Sequence, residues 1–396
     1  MASRPDGRRR LSPSDALAFF DPFLAGADVA VDVIRALLNP GRNDAPVEIP
    51  RDSWQLVLDR VDFHRLFPQL ASAGRDGRIV MNQSMSEGLD RVMSELTLKV
   101  LKLEQLLVVV GDEFQREGLE FLVLKGLATS HIDHVSPQER IAVDLDVLVR
   151  PGQLDTATEI LESAGFGRPY ELESLMDKGR AMRDSLGRHV DLHVRPHAPG
   201  KALGETWWNS TETFDLAGRK FKALPRGGRL GHAASHLALS WPSSRRFSSL
   251  LDMAVILEQS DDDDRDVAER FLDDVGVSDI VMRVTHLAAT MLDRQDLVLG
   301  RPSRWPHDRL LRRAYDRPDD DTIAMKLATI VGMPWGERDD VARNWIRPSQ
   351  EYLRRGGYRS RTDRAVKVLR RAGGRGAHPR TDPPEVSEPE PATPPG

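Results

Sequence analysis

The sequence predicts a mixed α/β (α+β) protein, with a small mixed β-sheet core between N-terminal and C-terminal helical regions. Three observations carry this prediction. Apolar residues before position 118 recur every three or four residues; between 118 and 195 they switch to short or alternating runs stopped by Gly and Pro; beyond Trp207-Trp208 helical spacing returns. The boundaries that follow are a helical region at 1–117, an α/β core at 118–225, a helical region at 226–371 and a tail at 372–396.

In chain order, the first dozen residues are polar and expected to be loose, and Ala16 to Leu38 reads as one or two helices ending at Asn39-Pro40-Gly41. A helix capped by Asp52 or Ser53 is expected to run until Pro68, and a long one from about Ser84 to Glu117, with Leu89, Val92, Leu96, Val100, Leu103, Leu107 and Val110 on its apolar side. Glu120 to Gly126 and Val143 to Val149 read as strands separated by a short helix. Gln153 to Ala164 is a helix closed by Gly165, followed by an irregular stretch and a strand at Arg188 to Val194. Helices are expected at 230–239 and 248–257, with Asp261 to Asp264 a solvated loop or helix start, and at 266–293, 307–316, 320–330 and 362–371. The tail is rich in Pro, Gly and Glu and too poor in apolar residues to offset ordering entropy, so it is expected to be disordered.

Composition narrows the chemistry. The chain has 396 residues, 40% hydrophobic and 30% charged, enough for a sizeable core. It contains no cysteine, which removes disulfides, thiolate metal sites and cysteine nucleophiles. A net charge of -5 argues against a chain dominated by nucleic-acid binding. No run approaches the ~18 apolar residues of a membrane helix, so a cytoplasmic location without membrane contact is expected. P-loop, dinucleotide-binding, zincin and nucleophile-elbow signatures are all missing from the sequence.

Asp144 and Asp146 stand two apart on an expected strand, so both carboxylates project from one face. A divalent cation relieves their mutual repulsion, and hard cations such as Mg²⁺ take carboxylate oxygens together with substrate phosphates. Asp191 lies on the next expected strand of the unit; if the two strands are neighbours, three carboxylates converge as metal-assisted phosphoryl transfer requires. Taken alone, an Asp-x-Asp pair also fits the wet face of an edge strand.

Leu124-Lys125-Gly126, Arg140-x-x-x-Asp144-x-Asp146, the helix ending in Gly165-Phe166, and Val190-Asp191-Leu192-His193 occur in that order. With this set the chain resembles the uncharacterised nucleotidyltransferases of the DNA polymerase β-like superfamily, more loosely from Trp54 and His64-Arg65-Leu66-Phe67-Pro68 to Leu250-Leu251-Asp252. The resemblance implies a nucleotidyltransferase core in which Asp144, Asp146 and Asp191 hold Mg²⁺ and carry catalysis. It also implies that Lys125 and Gly126 approach the triphosphate of an NTP co-substrate. The wider superfamily usually has Gly-Ser at that turn; here Lys125 takes the first position. Arg140 is a candidate phosphate clamp or, equally, half of an ion pair. The acceptor implied is a small molecule, peptide or protein, in a bacterial modification enzyme.

Two other readings stay open at this stage. The fold could serve as a non-catalytic nucleotide- or partner-binding module, given the missing Gly-Ser. His189, Asp191 and His193 share a strand face and could form a His/Asp metallohydrolase site with help from His131, Asp133 and His134, although alternate strand residues stand ~6.6 Å apart. His193 reads as a structural histidine that could orient Asp191. The basic run from Arg354 to Arg375, with Tyr352 and Tyr358, reads as a solvated helix flank.

Overall fold

The computed structural model describes residues 28–39, 45–168, 179–197, 200–240, 245–302 and 358–372, with isolated positions between 16 and 24 and between 330 and 353. Two compact units divide the chain, residues 1–346 and 347–396. In the second unit α12 (Arg361–Ala372) is described by itself; Lys367 pairs with Asp363 at 3.0 Å, one turn apart. The helix expected at 307–316, that at 320–330 but for residue 330, the loose start and the tail beyond 372 lie outside the described residues.

The first unit begins with α1 (Asp28–Leu38), α2 (Trp54–His64) and α3 (Phe67–Arg75), beside a two-stranded parallel pairing of β1 (Val47–Glu48) with β2 (Ile79–Val80). The single helix expected to run until Pro68 is in fact two. Arg65 adopts a left-handed backbone with φ 60°, which ends α2. Pro68 stands in the first turn of α3, where a missing N–H costs no helical hydrogen bond. Then α4 (Gln83–Arg116) runs for 34 residues, its start held by Asn82, whose side chain accepts from the Met85 N–H at 3.1 Å. Met85 and Leu89 join the N-terminal core, whereas Leu106, Leu107, Val110 and Phe114 pack on the sheet.

Six strands follow: β3 (Phe121–Val123), β4 (Leu145–Val149), β5 (Gly179–Arg183), β6 (His189–His193), β7 (Glu212–Leu216) and β8 (Arg219–Ala223). They form one mixed sheet in the order β5-β6-β4-β3-β8-β7. Helix α5 (Lys125–Ile132) joins β3 to β4 and α6 (Leu154–Ser163) follows β4. Val147, Val149 and Val123 face the α4 side, and Leu122 and Leu148 face the other core. Both faces are covered, so all of β4 is buried, Asp146 included, and no side of it is wet.

Three strands of this sheet went unseen in the sequence, as did β1 and β2. β5 occupies part of the expected irregular stretch and pairs antiparallel with β6. β7 and β8 form a hairpin where helical spacing was expected to resume. Its two turn residues, Ala217 and Gly218, both have positive φ (50° and 75°), the geometry that matches strand twist, and Phe214 pairs with Phe221 across it. Between β6 and this hairpin, α7 (Glu205–Asn209) buries Trp207 and Trp208; the Trp207 indole donates to Asp274 at 2.9 Å.

The closing layer consists of α8 (Arg226–Leu239), α9 (Phe247–Glu258), α10 (Asp262–Val275) and α11 (Ser278–Leu292). Asp261 caps α10, so the acidic run is a helix start, and Gly276 separates α10 from α11 within the expected 266–293 segment. Two glycines let α8 approach α10 closely. A Cβ at Gly227 would stand 2.3 Å from the Asp264 carbonyl oxygen, and one at Gly231 2.8 Å from the Phe271 ring. The opposite side of α8 bears Arg229, Ala233 and His236. Replacing Gly227 by Val should therefore push α8 off α10 and lower stability by about 1–3 kcal/mol, read as a lower urea midpoint at unchanged slope.

Candidate functional site

The site grows from the pairing of β4 with β6. These strands run parallel with Asp146 opposite Asp191, so their side chains share one face, toward α8 and α9. Asp146, Asp191 and His193 each offer a ligand atom, and these atoms lie within 4.8 Å of one another. His193 Nε2 already reaches Asp146 Oδ1 at 2.6 Å. Two carboxylates and an imidazole fit a divalent cation that accepts oxygen with one nitrogen. Asp144, two residues before Asp146, lies on the same side and lines the hollow next to it.

Lys125 follows β3 immediately and opens α5. Its ammonium donates to Asp146 Oδ1 at 2.8 Å, on the oxygen that also meets His193. Its backbone φ is 46°, a left-handed conformation that costs a side-chain-bearing residue about 1–3 kcal/mol. Glycine would adopt it freely. At Gly126 a Cβ would stand 3.0 Å from that of Ala142, so the turn has room for little more than hydrogen.

Lys125, Gly126, Arg140 and Asp144 line one hollow of about 200 Å³, closed by Arg65, Thr129, Arg229, His232, His236, Arg246 and Asp252 from helices outside the expected 118–225 core and from α5. Arg140 lines the hollow and is also half of an ion pair. Its Nε meets both oxygens of Asp252 on α9, at 2.7 and 2.9 Å, and its Nη1 donates to the Ile141 carbonyl. Arg229 is bound in the same way to Asp133, at 2.7 and 2.8 Å, and to Glu212 at 2.8 Å. His131 pairs with Glu104 and His134 with Asp252, so the cluster His131, Asp133 and His134 is spread over three partners. His189 is exposed and stands outside the Asp146-Asp191-His193 group.

Charge is finely balanced here. Burial and the neighbouring Asp146 charge push the Asp144 carboxyl above its ordinary pKa, against the pull of Lys125, Arg65 and Arg140. For Asp252 burial acts upward as well, but Arg140 and His134 outweigh it and hold that carboxyl low. Sequence reading missed Asp252, Arg65 and Arg246 as site residues. The first two stand inside the segments that carry the resemblance, yet nothing in local spacing shows that residues 65, 246 and 252 approach a strand near 144.

The sequence profile described as an uncharacterised nucleotidyltransferase matches residues 50–293. Among solved structures, an antigenic nucleotidyltransferase-like protein from Paracoccidioides brasiliensis is similar at 12% identity and a TM-score of 0.31, over 48% of this chain and 91% of that one. No curated protein matches the chain. No described helix is long and apolar enough to cross a membrane.

Two outcomes follow from these charges. In metal-free protein, Asp144→Asn should raise stability by about 0.5–2 kcal/mol at neutral pH, the usual gain when a functional carboxylate is neutralised. Because the folded pKa of Asp144 is raised, the wild type carries its penalty above that pKa, so the gain should shrink as pH falls through it; thermal melts in chelator over a pH series measure this. Asp252→Ala leaves Arg140 charged and buried, and should cost about 3–5 kcal/mol in denaturant unfolding. The depressed pKa of Asp252 gives the opposite pH sense: its contribution is complete above the unfolded value and vanishes as pH drops through the folded one.

Proposed function

The chain belongs to the uncharacterised nucleotidyltransferase family, and on that premise we propose that it moves a nucleoside monophosphate from an NTP to a hydroxyl or phosphate acceptor. The observation supporting this reading is the register of β4 against β6, which sets Asp146 beside Asp191 with Asp144 on the same side. Asp146, Asp191 and His193 would hold Mg²⁺, with Asp144 adding a carboxylate at the edge of the hollow. When bound, the cation supplies positive charge that neutralises these carboxylates and the phosphates.

The chain's own groups account for the rest. Lys125 and Gly126, which open α5, line the hollow where the triphosphate would lie. An acceptor oxygen forms a bond to the α-phosphorus while the bond to the pyrophosphate oxygen breaks, and pyrophosphate leaves with that electron pair. If the acceptor is a hydroxyl, Asp191 takes its proton. Alignment and charge do most of this work, since phosphoryl-type transfer asks little covalent chemistry of the protein. His193 in the donor set is the feature that favours the alternative, a transition-metal hydrolase.

Calorimetric titration with Mg·ATP and each other Mg·NTP should show binding that weakens about tenfold or more, 1.4 kcal/mol per decade, in Asp144→Asn and Asp146→Asn. Wild-type protein given α-labelled NTP and a cell extract should label one molecule and release pyrophosphate. Indifference of nucleotide binding to both substitutions would favour a partner-binding module. Stoichiometric zinc, manganese or iron in protein purified without added metal would favour the hydrolase.

A further inference from the structure

Arg65 and Arg246 stand apart from the other cations of the site. Lys125, Arg140 and Arg229 each meet a carboxylate. Among the described residues the guanidiniums of Arg65 and Arg246 have neither a hydrogen bond nor an ion pair, and Arg246 Nη1 is buried with no partner. They stand far apart in the sequence but are fastened side by side. The Phe247 N–H donates to His64 Nδ1 at 3.3 Å, the two rings lie 4.0 Å apart, and the Arg246 guanidinium rests on the Phe63 ring at 3.7 Å. With Nδ1 accepting, His64 Nε2 carries the proton that it donates to Asp21 at 3.0 Å. Burial lowers the pKa of both arginines, and Arg65 lowers that of Arg246 further. Folding two unpaired cations this close is costly, and an anion between them would remove the cost.

The same two arginines also line a second hollow, of about 500 Å³, which Lys125, Gly126 and Asp144 do not reach. Its walls include Phe63, Phe67, Leu96, Ile141 and half-exposed Val143, together with Arg60 and the exposed carboxylates of Asp59 and Asp62. The arginines thus sit on the wall between the carboxylate hollow and an aromatic-lined one. Two guanidinium forks offer more N–H donors than a carboxylate can accept and match the oxygens and double charge of a phosphate monoester.

We propose that Arg65 and Arg246 hold a phosphate borne by the acceptor, whose apolar body occupies the second hollow. This rests on the nucleotidyltransfer reading and narrows it: the acceptor is a phosphorylated molecule with an aromatic or aliphatic portion. The donor's triphosphate would lie by Lys125 and the start of α5, which line the first hollow and not the second.

The test uses phenyl phosphate and inorganic phosphate as probes, titrated calorimetrically into the full chain, free and saturated with Mg·α,β-methylene-ATP. Phenyl phosphate should bind both forms, more tightly than inorganic phosphate, and each of Arg65→Gln, Arg246→Gln and Arg246→Lys should weaken it about tenfold or more while analogue affinity stays within about twofold. The lysine variant keeps the charge and loses the fork, and a phosphate-dependent rise in the wild-type melting temperature needs no variant. Three results would overturn the subsite: phenyl phosphate binding undiminished in the variants, competition between phenyl phosphate and the analogue, or analogue affinity falling with that for phosphate. The last two assign the arginines to the donor's own phosphates. Failure of the nucleotidyltransfer reading appears elsewhere, as a wild type that does not bind the analogue.

Discussion

Several acidic side chains are held together on a largely buried sheet face, and the rest of the structure answers that constraint. Asp146 lies inside a strand covered on both sides, with Asp191 at the same level of the adjacent strand. Such charges persist only when cations or donors stand beside them. Lys125 and His193 converge on one oxygen of Asp146, and Lys125 accepts a strained backbone in order to do so. Asp144 is satisfied least: burial and the neighbouring Asp146 charge raise its pKa.

The helical layers act as structural counter-charge and wall. Asp252 on α9 fixes Arg140, and Asp133 after α5 fixes Arg229 on α8, so two buried ion pairs tie the helices to the segment between β3 and β4. The glycine-mediated seating of α8 on α10 then sets how far α8's other side stands from the carboxylates. In this way residues far along the chain from Asp144, out to Asp252, define the hollow beside it. Under the proposed nucleotidyltransfer, acceptor specificity would reside in these helices and in the α2–α3 junction, which line the two hollows.

Much of the core was legible. Gly165 ends its helix as expected, with φ 88°, whereas Gly276, with φ 79°, breaks a segment expected to be one helix. The alternation of Val143 to Val149 suffices to place Asp144 and Asp146 on one side. The β7–β8 hairpin was missed because charged residues between Phe214 and Phe221 dilute its period-two signal, although Ala-Gly at its turn marked it. The break at Arg65 was missed because a non-glycine residue in left-handed geometry leaves no compositional trace, and the proline that normally ends a helix begins one here.

By itself, the sequence determined which residues carry charge, many of the segments that are helix or strand, and that Asp144 and Asp146 share a face, because these follow from local periodicity. Strand neighbourhood belongs to the tertiary structure: Asp191 meets Asp146 only because β6 inserts between β4 and β5 in parallel register. So do the choice of Asp252 as the partner of Arg140 and the apposition of Arg65 with Arg246. Each depends on Coulomb and hydrogen-bond energies at separations of a few ångströms, and chain distance carries no record of which groups folding will bring that close.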